Sequence, residues 1–384
     1  MSSLLRDIAD YSDSRISLDE INVETYVTTD NLLQNKQGKV SAVKMPKQAS
    51  NTVTRFDKGD VLVANIRPYL KKIWLAKYTG GSSADVLTFK VKEGFDATFV
   101  YYALFRDDFF EHMMNGSKGT KMPRGDKNQI LDFTIPDFDI YNQKQIAKVL
   151  SDLDDKIELN NKINTELEAM AKLIYDYWFV QFDFPDENGK PYKSSGGLMV
   201  YNGDLKKEIP NGWEVGVFKD VLDDLQSGNR PKGGIKNIEN GIPSIGAENI
   251  LSIGKYNYGS EKVIPEEFYS NMTKGIIKSG DVLMYKDGAS LGRVSMFKNS
   301  FPYEKCCINS HAFILRSNEK ITQNYLYFWL DQDFMKEIIR RAGMRAAQPG
   351  INQVNVNELV ILIPDTSIIE KFESQREKGR SKAH

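Results

Sequence analysis

The sequence predicts an α+β protein: two similar mixed α/β domains separated by a long coiled-coil helix, with a truncated second helix at the C-terminus. Two observations carry this expectation. The tetrapeptide Gly59-Asp60-Val61-Leu62 returns as Gly280-Asp281-Val282-Leu283, and four further features follow each copy in the same order. Residues 141–179 contain no proline or glycine, and their apolar side chains alternate at spacings of four and three, which is the seam of a coiled coil.

In the first half, residues 61–66 and 73–75 are β-branched or apolar and divided by Arg67-Pro68-Tyr69; Gly80-Gly81-Ser82-Ser83 then turns into a third strand over 84–91. An aromatic helix-like stretch, 99–114, precedes the Gly-bearing basic loop 116–124, and the half closes on Ile135-Pro136. The second half repeats this with a strand over 308–315, an aromatic stretch over 325–339, the loop 342–350 and the closing Ile363-Pro364. A separation of about 220 residues makes the repeat domain-sized rather than solenoid-sized. The expected organisation is 1–140 for the first domain, 141–182 for the helix, 183–363 for a linker and the second domain, and 364–384 for the truncated helix and tail.

The seam runs through Ile146, Leu150, Leu153, Ile157, Asn160, Asn164, Leu167, Ala171, Ile174 and Trp178. Asn160 and Asn164 interrupt it, which sets register if each meets a polar partner; fraying, or a bound partner, explains them equally. At 1.5 Å per residue the helix would be about 58 Å long. The connection 185–197 is polar and turn-rich. Asp186, Glu187 and Lys190 there have a spacing seen in metal-dependent nucleases, but no strand is predicted beneath them.

Composition narrows the function. No apolar stretch approaches the roughly 18 residues of a membrane helix, and the first residues lack a signal-peptide pattern, so a soluble cytoplasmic protein is expected. Cys306 and Cys307 are adjacent and unsuited to an unstrained disulfide or a zinc site. His112, His311 and His384 lack partner spacing, so a His-based metal site is not expected, and structural roles are assigned to His112 and His311. The 51 basic and 52 acidic residues nearly cancel, so local clusters decide. Lys118, Lys121, Arg124 and Lys127 face the single Asp126, while Lys336, Arg340, Arg341 and Arg345 hold the matching place in the other half. Recurrence at equivalent positions, where a Gly-bearing backbone could approach phosphates, favours nucleic-acid contact. No Walker-type phosphate loop, no G-x-G-x-x-G and no Asn/Asp-Pro-Pro-Tyr base-flipping motif is present. The chain is therefore expected to catalyse nothing itself and to hold no metal or cofactor.

The run Gln143-Lys144-Gln145-Ile146 through Asn161-Lys162-Ile163-Asn164, continued by Tyr177-Trp178-Phe179 to Pro185, resembles the central conserved region of the DNA-specificity subunits of type I restriction-modification systems. Ile209-Pro210-Asn211-Gly212-Trp213 and both Gly-Asp-Val-Leu segments resemble that family's target-recognition domains. The resemblance implies two such domains, each reading one half of a split double-stranded DNA site. A rod of about 58 Å spans at most about 17 base pairs. It also implies methyltransferase (M) subunits using S-adenosylmethionine and restriction (R) motor-nuclease subunits using ATP and Mg, all outside this chain. The short C-terminal helix leaves the seam residues Ile146, Leu150, Leu153, Ile157, Leu167, Ile174 and Trp178 for a methyltransferase subunit or a second copy of the chain.

Base readout favours Arg on guanine and Asn or Gln on adenine, whereas Lys, Ser and Thr mainly hold phosphates. The candidates are Asn65, Arg67, Lys71, Lys118, Thr120, Lys121 and Arg124 in the first domain, and Arg230, Lys232, Lys286, Arg293, Arg345 and Gln348 in the second. A non-catalytic scaffold that binds proteins through duplicated domains and a coiled coil is the alternative.

Overall fold

The structure, a computed structural model, describes residues 2–46, 51–119, 121–231, 234, 238, 240–246, 248–258, 261–298, 301–344 and 350–381. It divides into two compact units, Met1–Leu159 and Asn160–His384.

Unit 1 is built on an antiparallel sheet of β1 (Ala9–Tyr11), β2 (Val61–Ala64), β3 (Ile73–Leu75) and β4 (Val86–Val91), in the order β1-β4-β2-β3. Side chains alternate across a strand. Val61 and Val63 therefore enter one core with Phe89, Phe99, Phe109 and Met113, while Leu62 and Ala64 enter another with Phe56 and Trp74. Burial on both faces explains why β2 is a continuous apolar run. The aromatic stretch folds as two helices, α1 (Ala97–Leu104) and α2 (Asp107–Asn115), because Arg106 is extended at φ −67°, ψ 151°. Asp107 and Asp108 then begin α2, where a helix favours negative charge.

The 36-residue helix α3 spans Ile140–Tyr175 and passes into a π-turn at Asp176–Val180. Ile140–Leu159 belongs to unit 1. There Gln143 is buried; its Oε1 accepts from the Asp96 N–H at 2.9 Å and its Nε2 donates to Phe138 O at 2.7 Å. Ile146 and Ala147 pack on the unit's own core, and the Tyr102 hydroxyl donates to Asp154 at 2.7 Å.

Unit 2 repeats the sheet with β5 (Leu222–Ser227), β6 (Val282–Tyr285), β7 (Val294–Met296) and β8 (Ala312–Ser317), in the corresponding order β5-β8-β6-β7. The expected strand over 308–315 is two strands, Cys307–Ile308 and β8, separated by a turn that Asn309 caps by accepting from the His311 N–H at 2.8 Å. Helices α4 (Gln323–Leu330) and α5 (Asp333–Gly343) break at extended Gln332 as α1 and α2 break at Arg106. Both cysteines are free and buried. Burial pushes the Cys306 thiol up to about 12 and the Cys307 thiol up to about 11.

The repeated tetrapeptide has one mechanical role in both units. Gly59 and Gly280 turn with φ +96° and +91°, in the left-handed region that glycine tolerates. The following aspartate then caps the turn: Asp60 Oδ2 accepts from the Asp57 N–H at 2.8 Å, and Asp281 Oδ2 from the Lys278 N–H at 2.7 Å.

The C-terminal helix α6 spans Thr366–Ser381, within the expected 364–384 and well short of the 36 residues of α3. Its Phe372 is fully buried against Tyr175, Trp178 and Phe179, with ring centroids 5.3–6.1 Å apart. This corrects the expectation that Trp178 faces a partner, since its indole is used within unit 2. Ile174 also packs on this core. Of the seam residues, Leu153 and Ile157 are exposed, at 52% and 57%, whereas Ile146, Leu150 and Leu167 are half-buried. Asn160 and Asn164 are exposed. The connection 185–197 is a turn in which Asp186 Oδ1 accepts from the Asn188 and Lys190 N–H groups, so that carboxylate caps a loop. No helix among the described residues is long and apolar enough to cross a membrane, and they hold no cluster of His, Cys, Asp and Glu suited to a metal.

Candidate nucleic-acid interface

In unit 1, backbone hydrogen bonds stitch the loop leaving β2 to the loop 116–126. The Asn65 N–H donates to Asp85 O at 2.8 Å, the Gly125 N–H to Asn65 O at 3.2 Å, and the Arg67 N–H to Pro123 O at 2.8 Å. Lys118 and Arg124 exchange two bonds of 3.0 Å, and Ile66 bridges Arg124. The predicted residues Asn65, Arg67, Lys118, Lys121 and Arg124, distant in sequence, thus meet at one corner.

Their side chains do different things there. Asn65 is 3% exposed and lies beneath Gly125, where an added Cβ would come within 2.8 Å of its Oδ1. The Arg124 guanidinium is exposed and donates to Asp85 Oδ1 at 2.5 Å. Lys118 Nζ lies 3.4 Å from Asp126, and Lys71 Nζ lies 3.0 Å from Asp107, whose carboxyl Lys36 and Lys71 together hold below the usual range. Arg67 and Lys121 are exposed, and their side chains form no hydrogen bond or ion pair among the described residues. Thr120 lies outside the described residues.

Unit 2 forms the same corner. The Lys286 N–H donates to His311 O at 3.0 Å, the Ile351 N–H donates to Lys286 O at 2.8 Å, and Asp287 bridges Gly350. By these bonds Asn65 corresponds to Lys286, Ile66 to Asp287, and Asp85 to His311. Lys286 Nζ donates to Ser227 Oγ at 3.1 Å and lies 5.0 Å over the Phe313 ring. His311 Nδ1 is 2.7 Å from Asp287 Oδ2, and burial together with Asp287 pushes the Tyr285 phenol up. Arg230 is exposed; Arg293 is half-buried and donates to Ile250 O at 3.3 Å. Lys232, Arg345 and Gln348 lie outside the described residues.

The expected parallel between basic clusters is weaker than the parallel between backbones. Arg340 and Arg341 both donate to Glu337, at 2.8 and 2.7 Å, and hold its carboxyl down to about 2; Lys336 pairs with Asp331 at 2.6 Å. The residues that sequence reasoning missed are Asp85, Asp287 and His311. Placing the two copies in register through the strands Val86–Val91 and Ala312–Ser317 would have set Asp85 opposite His311. His112 does take the structural part expected of it, with Nε2 2.7 Å from Gln129 O. A cavity of about 1150 Å³ in unit 2, between α3, α6 and residues 252–254, contains none of the corner residues.

A family model described as the type I restriction modification DNA specificity domain matches residues 5–169 and again residues 210–378. The chain belongs to this DNA specificity family. Two matches to one model account for the repeated sheet, tetrapeptide turn and corner. The specificity subunit is 25% identical to the type I restriction enzyme MjaIX specificity subunit of Methanocaldococcus jannaschii, over 83% of this chain and 70% of that protein. It is 27% identical to the MjaVIII specificity subunit of the same organism, over 76% of this chain and 65% of that protein. In fold it is similar to the crystal structure of a type I restriction-modification S subunit from M. genitalium. The TM-score is 0.54 at 14% identity, with 100% of this chain and 91% of that one covered. A specificity subunit recognises DNA, and the corner of unit 1 brings five candidate residues together, whereas among the described residues of unit 2 the corner bonds include Lys286 alone of the candidates.

Proposed function

We propose that each unit reads one half of a bipartite DNA site through its corner, and that the chain thereby directs methyltransferase and restriction subunits to that site. The observation that carries this reading is the corner built twice by equivalent backbone hydrogen bonds, with different charged side chains mounted on it. A common frame with variable side chains is what two half-sites of different sequence require, because phosphate contacts fix position while base contacts specify. The chemistry belongs in this reading to the partners: S-adenosylmethionine with the methyltransferase, ATP and Mg with the motor nuclease. Exposed Leu153 and Ile157 on α3 offer apolar surface for such a partner or for a second copy.

The test is to map methylated adenines in the host genome with and without the gene. A two-part motif that disappears with the gene supports the proposal; an unchanged methylation pattern overturns it. Binding indifferent to DNA sequence and to salt would favour the protein-binding scaffold instead.

A further inference from the structure

We infer that His311 is a specificity-determining residue of unit 2, selecting a base in its half-site at the place where unit 1 presents Arg124 held by Asp85. The inference rests on the reading of the corners as the DNA-facing surface. Asp85 and His311 hold equivalent positions, each accepting through its carbonyl the N–H of the residue that follows the tetrapeptide strand. Each also belongs to an acid–base pair. In unit 1 the acid is Asp85 and its partner, Arg124, comes from the 118–124 loop. In unit 2 the acid has moved to Asp287, and the position of Asp85 carries the imidazole.

The geometry makes His311 suited to reading rather than to filling space. Its side chain is 39% exposed and that of Asp287 is 32% exposed, so the pair is open to solvent while hydrogen-bonded at 2.7 Å. A carboxylate accepts only, so Nδ1 carries the proton and Nε2 is the remaining polar atom of the ring. Asp287 is itself anchored through its backbone bridge to Gly350, and the His311 N–H is held by Asn309 Oδ1 at 2.8 Å. The ring is thus fixed at both its backbone and its Nδ1. Preorganised polar groups of this kind discriminate base edges, whereas flexible lysines mainly meet phosphate. A neutral ring offers Nε2 as acceptor to the amino group of adenine or cytosine; an imidazolium donates to guanine.

The experiment selects bound duplexes from a pool with both half-sites randomised, using the full chain recovered from its host with any subunits it carries. His311→Ala and Asp287→Asn are compared with the unaltered chain, with circular dichroism as a check on folding. The expected result is a loss of about ten-fold in discrimination at one base pair of one half-site, with the other half-site unchanged. Asp287→Asn keeps the size of the side chain and should blur the same base pair. A weaker but unaltered preference in both variants would mean that the pair only ties the loop, and would overturn the assignment. Failure of the unaltered chain to select any sequence would instead overturn the DNA reading on which it rests.

Discussion

The loop after the tetrapeptide strand has the same length in both units, closed by Ala64 to Lys72 in one and Tyr285 to Arg293 in the other. It has opposite chemistry. Unit 2 places Gly288 and Gly292 where the backbone turns left-handed, at φ +68° and +80°; unit 1 places Arg67 and Lys71 there, at φ +52° and +50°. A non-glycine residue in this region costs roughly 1–2 kcal/mol. Such strain persists where a side chain is needed at that point. For Lys71 the need is visible, since its ammonium pairs with Asp107. Arg67 is held by its backbone, its N–H donating to Pro123 O at 2.8 Å, and its exposed side chain forms no hydrogen bond or ion pair among the described residues. The frame is shared, and the two units differ in which side chains they present from it.

The largest expected difference between the units lies in the tetrapeptide aspartates. Asp281 caps its turn and also accepts two bonds from Arg316, at 2.7 and 2.8 Å, whereas the corresponding cation in unit 1, Lys90, pairs with Asp57. Asp281→Ala leaves a largely buried guanidinium short of its main partner and should destabilise unit 2 by about 3 kcal/mol. Asp60→Ala loses only the turn cap and should cost unit 1 about 1 kcal/mol. Denaturant unfolding followed by hydrogen exchange in each unit measures both, and equal losses would break the comparison. Burial raises the Asp60 carboxyl, so its contribution is fullest below the ordinary carboxylate range and declines as pH rises through the raised value. Asp60→Asn should remove that decline.

Next in size are the corner arginines of unit 1. Arg124→Ala should weaken specific binding by about 1–3 kcal/mol if the guanidinium meets a base edge, and relax preference in one half-site only. A uniform loss over all sequences with a shallower salt slope would place it on phosphate. Arg67→Gly installs the residue unit 2 uses. It should raise the stability of unit 1 by up to about 1 kcal/mol while weakening DNA binding. A variant that is more stable and binds equally well would remove Arg67 from the interface.

The duplicated sheets were legible because the same four residues lead into β2 and β6 for the same reason: a left-handed glycine and a capping aspartate before each strand, then two apolar side chains facing opposite cores. The break inside each aromatic stretch was not legible, since Arg106 and Gln332 carry no proline or glycine to mark it and the break exists to bring a second helix onto the sheet. The corner was half legible. Arg67, Lys121 and Arg124 stand out as basic residues near glycines, but burial of Asn65 depends on Gly125 packing over it from a segment 60 residues away. The acid–base pairs were hidden for the same reason, as Asp85 and Arg124 meet only once the loop is stitched. Trp178 illustrates the opposite failure. A seam spacing shows which side of a helix is apolar, not whether the chain's own Phe372 already covers it.

The smallest expected effect concerns the basic face of α5. Arg340 and Arg341 depress the Glu337 carboxyl to about 2, although all three groups face solvent. A carboxyl depressed in the folded state contributes stability above its unfolded value, and that contribution is lost as pH falls toward about 2. Glu337→Gln should therefore melt slightly below the unaltered chain at about pH 6, with the two curves converging in acid. The same substitution frees both guanidiniums, so it also asks whether unit 2 differs from unit 1 because its arginines are engaged. If DNA affinity rises and its salt dependence steepens, α5 lies near the duplex and Glu337 restrains it. If affinity stays constant while the melting curves behave as expected, the α5 arginines serve the helix and lie away from the duplex.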